Sequence, residues 1–221
     1  MNQARLDAVT VVHRVRPGYF HDTAIDKRPV AGPVQVSATG LDGDQQLSRA
    51  HGGTDRAVYA YANEDAQWWG AALGRDIPPG LFGENLRTTG LDVNAARIGD
   101  RWRVGDGVLL EVRMPRTPCE NLSMRMGIDR FHLSFNATGR VGAMLKVLVP
   151  GTIRAGDVIT VDSRTDHDVT VADLAIGPDA SQMRQLLDSG VPLARRVRDI
   201  ARRIVRRSAL GKSASSEARP P

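Results

Sequence analysis

The segment Arg101-Trp-Arg-Val-Gly-Asp-Gly-Val-Leu-Leu-Glu-Val-Arg-Met-Pro-Arg-Thr-Pro-Cys119 holds two short alternating runs around a Gly-Asp-Gly turn, then a Pro-Arg-Thr-Pro frame. Within it Val108, Leu110 and Val112 fall on one face, because successive strand side chains point to opposite sides. Gly105, Asp106 and Gly107 supply the turn chemistry that joins this strand to Arg101–Val104 as a hairpin. Core strands avoid proline, so Pro115 and Pro118 end the ladder and present Cys119 at a rigid strand end.

The same texture extends in both directions. Residues 9–15, Val34–Ser37, 57–61, Ala143–Val149 and 158–161 read as further strands, separated by Gly, Pro and Asp. One helix interrupts them at Asn63–Leu73. There Asn63 is placed to cap, Glu64 and Asp65 suit the positive end, and Trp68/Ala72 and Trp69/Leu73 pair at i, i+4. Many short strands without βαβ alternation predict a mainly β fold, a barrel or a sandwich. After Val161 the pattern turns helical. Thr170 and Asp173 form a capping-box start, and residues 179–189 and 192–207 read as two more helices, with Pro192 as the first residue of the last. The expected organisation is a β domain over residues 1–162, a small α-helical C-terminal module over 168–207, and a disordered low-complexity tail over 208–221.

With 41% apolar residues in 221, the chain has material for one substantial core without staples. The first twenty residues lack a basic stretch followed by an apolar run, and no 18 consecutive apolar residues occur, so no signal peptide and no membrane contact are expected. A single cysteine cannot form an internal disulfide or a four-thiolate metal site. These features lead to the expectation of a cytoplasmic protein. The net charge is +5, and only three basic residues (Lys27, Lys146 and Lys212) are lysine. Arginine dominance fits either codon bias or an anionic ligand, because the planar guanidinium grips phosphate bidentately. Nucleic acid is not expected as a partner, since zinc-finger spacing and an aromatic RNA-binding motif are lacking and aromatics are only 5%.

Four patches carry possible chemistry. His51-Gly52-Gly53-Thr54-Asp55-Arg56 is a polar loop running into a strand. It is either a tight turn or a place where glycine N–H groups face an anion. Gly83-Glu84-Asn85 either orients a heterocycle or ties a turn. In Met114-Pro-Arg116-Thr-Pro-Cys119 a guanidinium lies near a thiol, and positive charge favours thiolate, the form that binds soft metals or attacks electrophiles. A lone cysteine is otherwise a small buried hydrophobe. Gly139-Arg140-Val-Gly142 is a phosphate clamp or an ordinary turn. Zinc-protease, nucleophile-elbow, P-loop and dinucleotide fingerprints are lacking. His51 and His132 are the histidines weighed as a base for Cys119, without support from spacing.

In order, these patches resemble the MOSC family, named for the C-terminal domain of molybdenum cofactor sulfurases. The matching pieces are Lys27-Arg-Pro-Val with Gly40-Leu-Asp-Gly-Asp44, His51-Gly-Gly with Asp55 and Ala57-Val58, and the Trp68-Trp69 helix. Phe82-Gly-Glu-Asn-Leu86, Pro115-Arg-x-Pro-Cys119, Gly139-Arg-x-Gly142 and Ala155-Gly-Asp157 follow. The helical segment after Val169 resembles the three-helix module of the family's bacterial stand-alone subgroup. The loop reads Gly-Gly-Thr-Asp where relatives often have Gly-Gly-Pro-Asp.

The resemblance implies a MOSC-type β-barrel with a groove for the molybdenum cofactor (molybdopterin), and Cys119 as the molybdenum or sulfur ligand. It implies that Arg116, Arg140 and the loop of His51, Gly52, Gly53, Asp55 and Arg56 hold the pterin and its phosphate, while Asn85 orients the ring. The implied activity is an oxidoreductase that reduces N-hydroxylated small molecules. A sulfur carrier bearing a Cys119 persulfide and a non-catalytic cofactor carrier are the alternatives. An external electron-donor protein is expected, because one cysteine cannot hold an iron–sulfur cluster and no dinucleotide fingerprint is present.

Overall fold

The Gly105–Gly107 turn builds the hairpin its sequence predicts. Strands β7 (Arg101–Val104) and β8 (Val108–Pro115) pair antiparallel, Val104 opposite Val108 and Trp102 opposite Leu110. Trp102, Val104, Val108, Leu110 and Val112 are all buried, as one face of a half-buried ribbon requires. The structure, a computed structural model, describes residues 3–47 and 52–217, with side chains described to residue 210.

Around this hairpin lie β1 (Arg5–Arg16), β2 (Thr23–Pro29), β5 (Val58–Ala62), β6 (Leu86–Thr89), β9 (Ala143–Val149) and β11 (Ile159–Ser163). With β7 and β8 they form a sheet in the order β11-β7-β8-β9-β5-β6-β1-β2. A smaller sheet, in the order β10-β3-β4, joins β10 (Gly151–Ile153), β3 (Val34–Ser37) and β4 (Gly40–Leu41). The large sheet is not closed by a full ladder. The start of β1, the last strand but one, meets the entry to β11 at one isolated bridge, Arg5 to Val158, with backbone hydrogen bonds from Leu6 to Asp157 and from Ile159 to Ala4, each 2.8 Å. The barrel expectation therefore holds in a reduced form, a mainly β sheet curled on itself and stitched at a short seam.

One expectation fails inside this sheet. β5, α1 (Asn63–Leu73) and β6 make a βαβ unit, with β5 and β6 parallel. β5 is buried throughout, so its sequence reads as a continuous apolar run without alternation. The helix itself has the expected bounds, but Asn63 is its first residue and no side chain caps it. Glu64 instead accepts from the backbone N–H of Gly90, tying the helix to the end of β6.

Two helices escaped the sequence reading. α2 (Glu120–Met126) and α3 (Phe131–Ala137) are each seven residues, too short for a convincing 3.6 period. They are set by packing. Phe131 and Phe135 join Trp69, Tyr61 and Phe82 in one aromatic cluster, with Phe135 centroids 5.0–5.8 Å from the other four. Pairs at that spacing each add about 0.5–1.5 kcal/mol beyond area burial.

The C-terminal helices are α4 (Val171–Ile176), α5 (Ala180–Asp188) and α6 (Arg195–Glu217). α4 carries the predicted Thr170–Asp173 capping box, and α5 carries a second between Asp179 and Gln182. α6 begins at Arg195 rather than Pro192, and it continues through the first ten residues of the expected tail. Pro192 stays outside the helix and gives its carbonyl to Arg113 of β8. Val169, Val171, Met183, Leu186, Val197 and Ala201 belong to the same buried cluster as the sheet residues. Among the described residues, no helix is long and apolar enough to cross a membrane.

Candidate active site

Cys119 stands where β8 ends and α2 begins. Proline at 115 and 118 bounds the corner, the Arg116 N–H donates to the Gly142 carbonyl at 3.1 Å, and the Cys119 carbonyl accepts from Leu122 at 2.9 Å. α2 is held on β2 by Arg125, whose guanidinium is 2.8 Å from the fully buried carboxylate of Asp26. The β1–β2 hairpin tip is tied to the same helix by the Tyr19 N–H, which donates to Asn121 at 2.8 Å. The thiol is partly exposed and lines a cavity of about 390 Å³. That size lies in the range of small-molecule sites.

Four cationic side chains line the cavity, against two carboxylates, Asp22 and Glu120. Lys27, Arg56, Arg116 and Arg196 line it together with Gln46, Tyr59, Asn85, Met114 and Met144. Tyr19 and Phe20, both exposed, form its aromatic rim and meet edge to face at 4.7 Å. Lys27 is buried and gives its ammonium to Asp44 at 2.7 Å. Burial pulls its pKa below the usual lysine value, against the opposing charge of Asp44. Arg56, Arg116 and Arg196 have no carboxylate partner among the described residues. The Arg116 guanidinium lies 5.8 Å from the Tyr59 ring centroid and, among the described residues, bonds only its neighbour, the Thr117 carbonyl. The Tyr59 hydroxyl donates to the Val141 carbonyl at 2.8 Å, and burial holds the phenol protonated well above its usual range. It is therefore part of the wall and not a proton source at neutral pH.

Of the residues expected to hold a cofactor, Cys119, Arg116, Arg56 and Asn85 are brought together at this cavity. Asn85 is, however, already committed. Its amide oxygen accepts from the Tyr59 N–H, and its amide nitrogen donates to the Thr10 carbonyl and, at 2.8 Å, to Asp44. With those bonds made, it supports the floor rather than reaching for a ring. Glu84 likewise ties a turn, accepting from the N–H groups of Gly80 and Phe82 and from buried Arg87.

Arg140 does not line the cavity. It pairs with Asp65 of α1 and lies over the Trp68 ring at 5.0 Å, so its charge is spent on a helix. Burial raises the Asp65 pKa, and the bonds from Arg140 and Asn94 oppose that rise. Asp55 is also outside the lining, accepting from Arg113 at 2.9 Å. The Gly53 N–H donates to the Gln46 side chain at 3.2 Å, and a Cβ on Gly52 would lie 2.4 Å from that same side chain. These glycines thus seat the loop on Gln46. His51 lies outside the described residues. His132 shares a hydrogen bond with the Ser123 hydroxyl at 2.8 Å and is not among the cavity residues. Among the described residues, no cluster of three or more His, Cys, Asp or Glu is placed to hold a metal ion.

Sequence reasoning missed Lys27, Tyr59 and Arg196 as cavity residues. Lys27 is one of three lysines in an arginine-dominated chain, and nothing local separates it from Lys146, which is not among the cavity residues, or from Lys212. Arg196 had no signal either, because it sits in a run of similar arginines and only tertiary packing brings it to the mouth.

Comparison with known proteins gives the family and the fold. The family model for the MOSC domain matches residues 48–160. A protein of Gibberella moniliformis named "Reductase" is 41% identical over 149 residues, 64% of this chain but only 26% of the relative, so the chain spans about a quarter of its length. Protein YiiM of Escherichia coli is 35% identical over 158 residues, 69% of each chain. The crystal structure of YiiM from Geobacillus stearothermophilus superposes with a TM-score of 0.75 at 25% identity, covering 90% of this chain and 98% of that one. On its fold, its ordered motifs and these matches, the chain belongs to the MOSC domain family.

Proposed function

We propose that this protein is a molybdenum-cofactor-dependent oxidoreductase that reduces N-hydroxylated compounds, with Cys119 as the protein ligand to the metal. The observation that carries the reading is one cavity holding both the Cys119 thiol and three arginines that have no carboxylate partner among the described residues. A molybdopterin offers a soft metal for a thiolate and a phosphate for guanidinium groups, so the donor set suits both of its ends. The reductase name of the Gibberella relative supports the reaction class.

When bound, the cofactor supplies a two-electron reduction in which R–NHOH, two electrons and two protons become R–NH2 and water. The chain's residues bind and orient. Cys119, held by the proline frame, is fixed in position rather than swinging on a loop. Arg116 and Arg56 present guanidinium groups to the anionic part of the cofactor. Lys27 and Asn85, both held by Asp44, make a rigid polar floor. Tyr19 and Phe20 shield the mouth with apolar rings, and protons enter from solvent on the open side. Electrons come from a separate donor protein.

The test is protein made in cells that synthesise the cofactor, assayed for molybdenum and for reduction of a hydroxylamine substrate. Near-stoichiometric metal and turnover are expected for the natural chain. Cys119→Ser is expected to abolish turnover while moving stability by less than about 0.5 kcal/mol. Full activity in Cys119→Ser would overturn the assignment.

A further inference from the structure

We propose that Arg56 and Arg196 form a two-arginine clamp for a phosphate monoester at the cavity mouth, so that the C-terminal helices complete the site. The clamp rests on this cavity being the working site, as proposed above.

The two residues come from distant parts of the chain. Arg56 closes the single 3-10 turn Thr54–Arg56 that leads into β5, and Arg196 is the second residue of α6. Both line the cavity with Cys119. Neither has a carboxylate partner among the described residues, although ion pairs satisfy many other arginines here. Among the described residues the Arg56 guanidinium donates only to the Met114 sulfur, at 3.4 Å, a weak acceptor. Burial and the positive charge of Arg196 both work against the charged form of Arg56, and the neighbouring Asp55 carboxylate, itself bonded to Arg113, opposes them only in part.

A scaffold holds this unfavourable pairing in place. Arg113 on β8 is nearly buried, and it bonds Asp55, beside Arg56, at 2.9 Å and Glu111 at 2.6 Å. The same guanidinium donates to the Pro192 carbonyl, four residues before Arg196. One side chain thus fixes both the loop that carries Arg56 and the entry to the helix that carries Arg196. Its own charge is matched by two carboxylates, so it is a positioning residue and takes no ligand. The positive end of the α6 dipole lies at this mouth as well.

Two planar guanidinium groups facing one space suit an acceptor with two negative charges and three free oxygens, the description of a phosphate monoester. A single carboxylate would neutralise only one of them. The monoester could belong to the cofactor or to a phosphorylated substrate, and the two sources are separable.

Inorganic phosphate is titrated calorimetrically into the full chain and its Arg196→Ala, Arg56→Lys and Arg203→Ala variants. Arg203 is exposed on α6 and is not among the cavity residues. Arg196→Ala is expected to weaken phosphate about tenfold or more, Arg56→Lys by less, and Arg203→Ala not at all. Unchanged phosphate affinity in Arg196→Ala overturns the clamp, and so does an equal loss in Arg203→Ala, which would mean general charge attraction. Reduced molybdenum content of Arg196→Ala from cofactor-synthesising cells assigns the phosphate to the cofactor. Unchanged content, with weaker binding of a phosphorylated substrate but not its dephosphorylated form, assigns it to the substrate. If the natural chain takes up no molybdenum, the metal reading fails, while the phosphate titration still decides the clamp.

Discussion

Replacing Asp44 with asparagine removes one charge from behind the cavity wall, where it holds Lys27 and Asn85, and leaves the shape of the side chain. In the native protein Asp44 accepts from Lys27 at 2.7 Å, from Asn85 at 2.8 Å and from the Val12 N–H at 3.2 Å, with its side chain 3% exposed and that of Lys27 10% exposed. The substituted amide would keep an oxygen for one of these donors but would strand the Lys27 ammonium. Breaking a buried pair by removing one partner costs about 3–5 kcal/mol. Because the amide oxygen retains one donor, the lower end applies, about 3 kcal/mol. With a urea m-value of roughly 2–3 kcal/mol/M, the unfolding midpoint falls by about 1–1.5 M. The pH dependence identifies the cause. Burial lowers the folded-state pKa of Lys27 below its ordinary 10.5, so between those two values the unfolded chain holds more protons and stability rises with pH. Removing Asp44 takes away the charge that opposes this lowering and extends the window downward. The deficit of the variant is therefore largest near pH 7 and shrinks as the pH approaches about 10. Tryptophan-fluorescence urea curves at about pH 7 and 9.5 measure it, and Lys27→Met combined with Asp44→Asn should recover most of the loss. A midpoint unchanged at neutral pH, or an equal deficit at both pH values, would refute the reasoning.

Arg116→Ala should lower molybdenum retention with little change in melting temperature, whereas Arg140→Ala should leave retention intact and cost about 1 kcal/mol, a small figure because its side chain is 43% exposed. The Arg140→Ala loss should be greater at about pH 7 than at about pH 5, because Asp65, already raised by burial, loses an opposing cation and destabilises the fold as pH rises through its folded pKa; metal analysis and thermal melts at the two pH values check both variants. Cofactor-loaded protein should not turn over with reduced nicotinamide alone and should do so once a flavin reductase or an artificial dye donor is added. Sustained turnover on nicotinamide alone would remove the need for a donor protein.

The hairpin of β7 and β8, the strands β3 and β9, the helix α1 and the capping box of α4 were legible from local chemistry alone. Their turn glycines, periodicity and caps lie within a few residues of one another. The proline frame likewise identified Cys119 as a presented thiol. What the linear chain could not decide is how each charged side chain is spent. Arg116 and Arg140 look alike in sequence, each in a Gly- or Pro-bounded turn, yet one faces the cavity and the other neutralises Asp65, 75 residues away. Asn85 reads as a ligand until Thr10, Asp44 and Tyr59 are seen to take its amide. β5 and β6 read as ordinary strands, and only the crossover of α1 makes them parallel. Arg196 becomes a site residue only once α6 packs on the sheet, with Ala194, Val197 and Ala201 buried and Arg113 holding Pro192. Backbone propensity is a short-range property and survives in sequence. The partner of an ionised side chain depends on contacts between distant segments, and those exist only once the sheet has curled and the helices have packed against it.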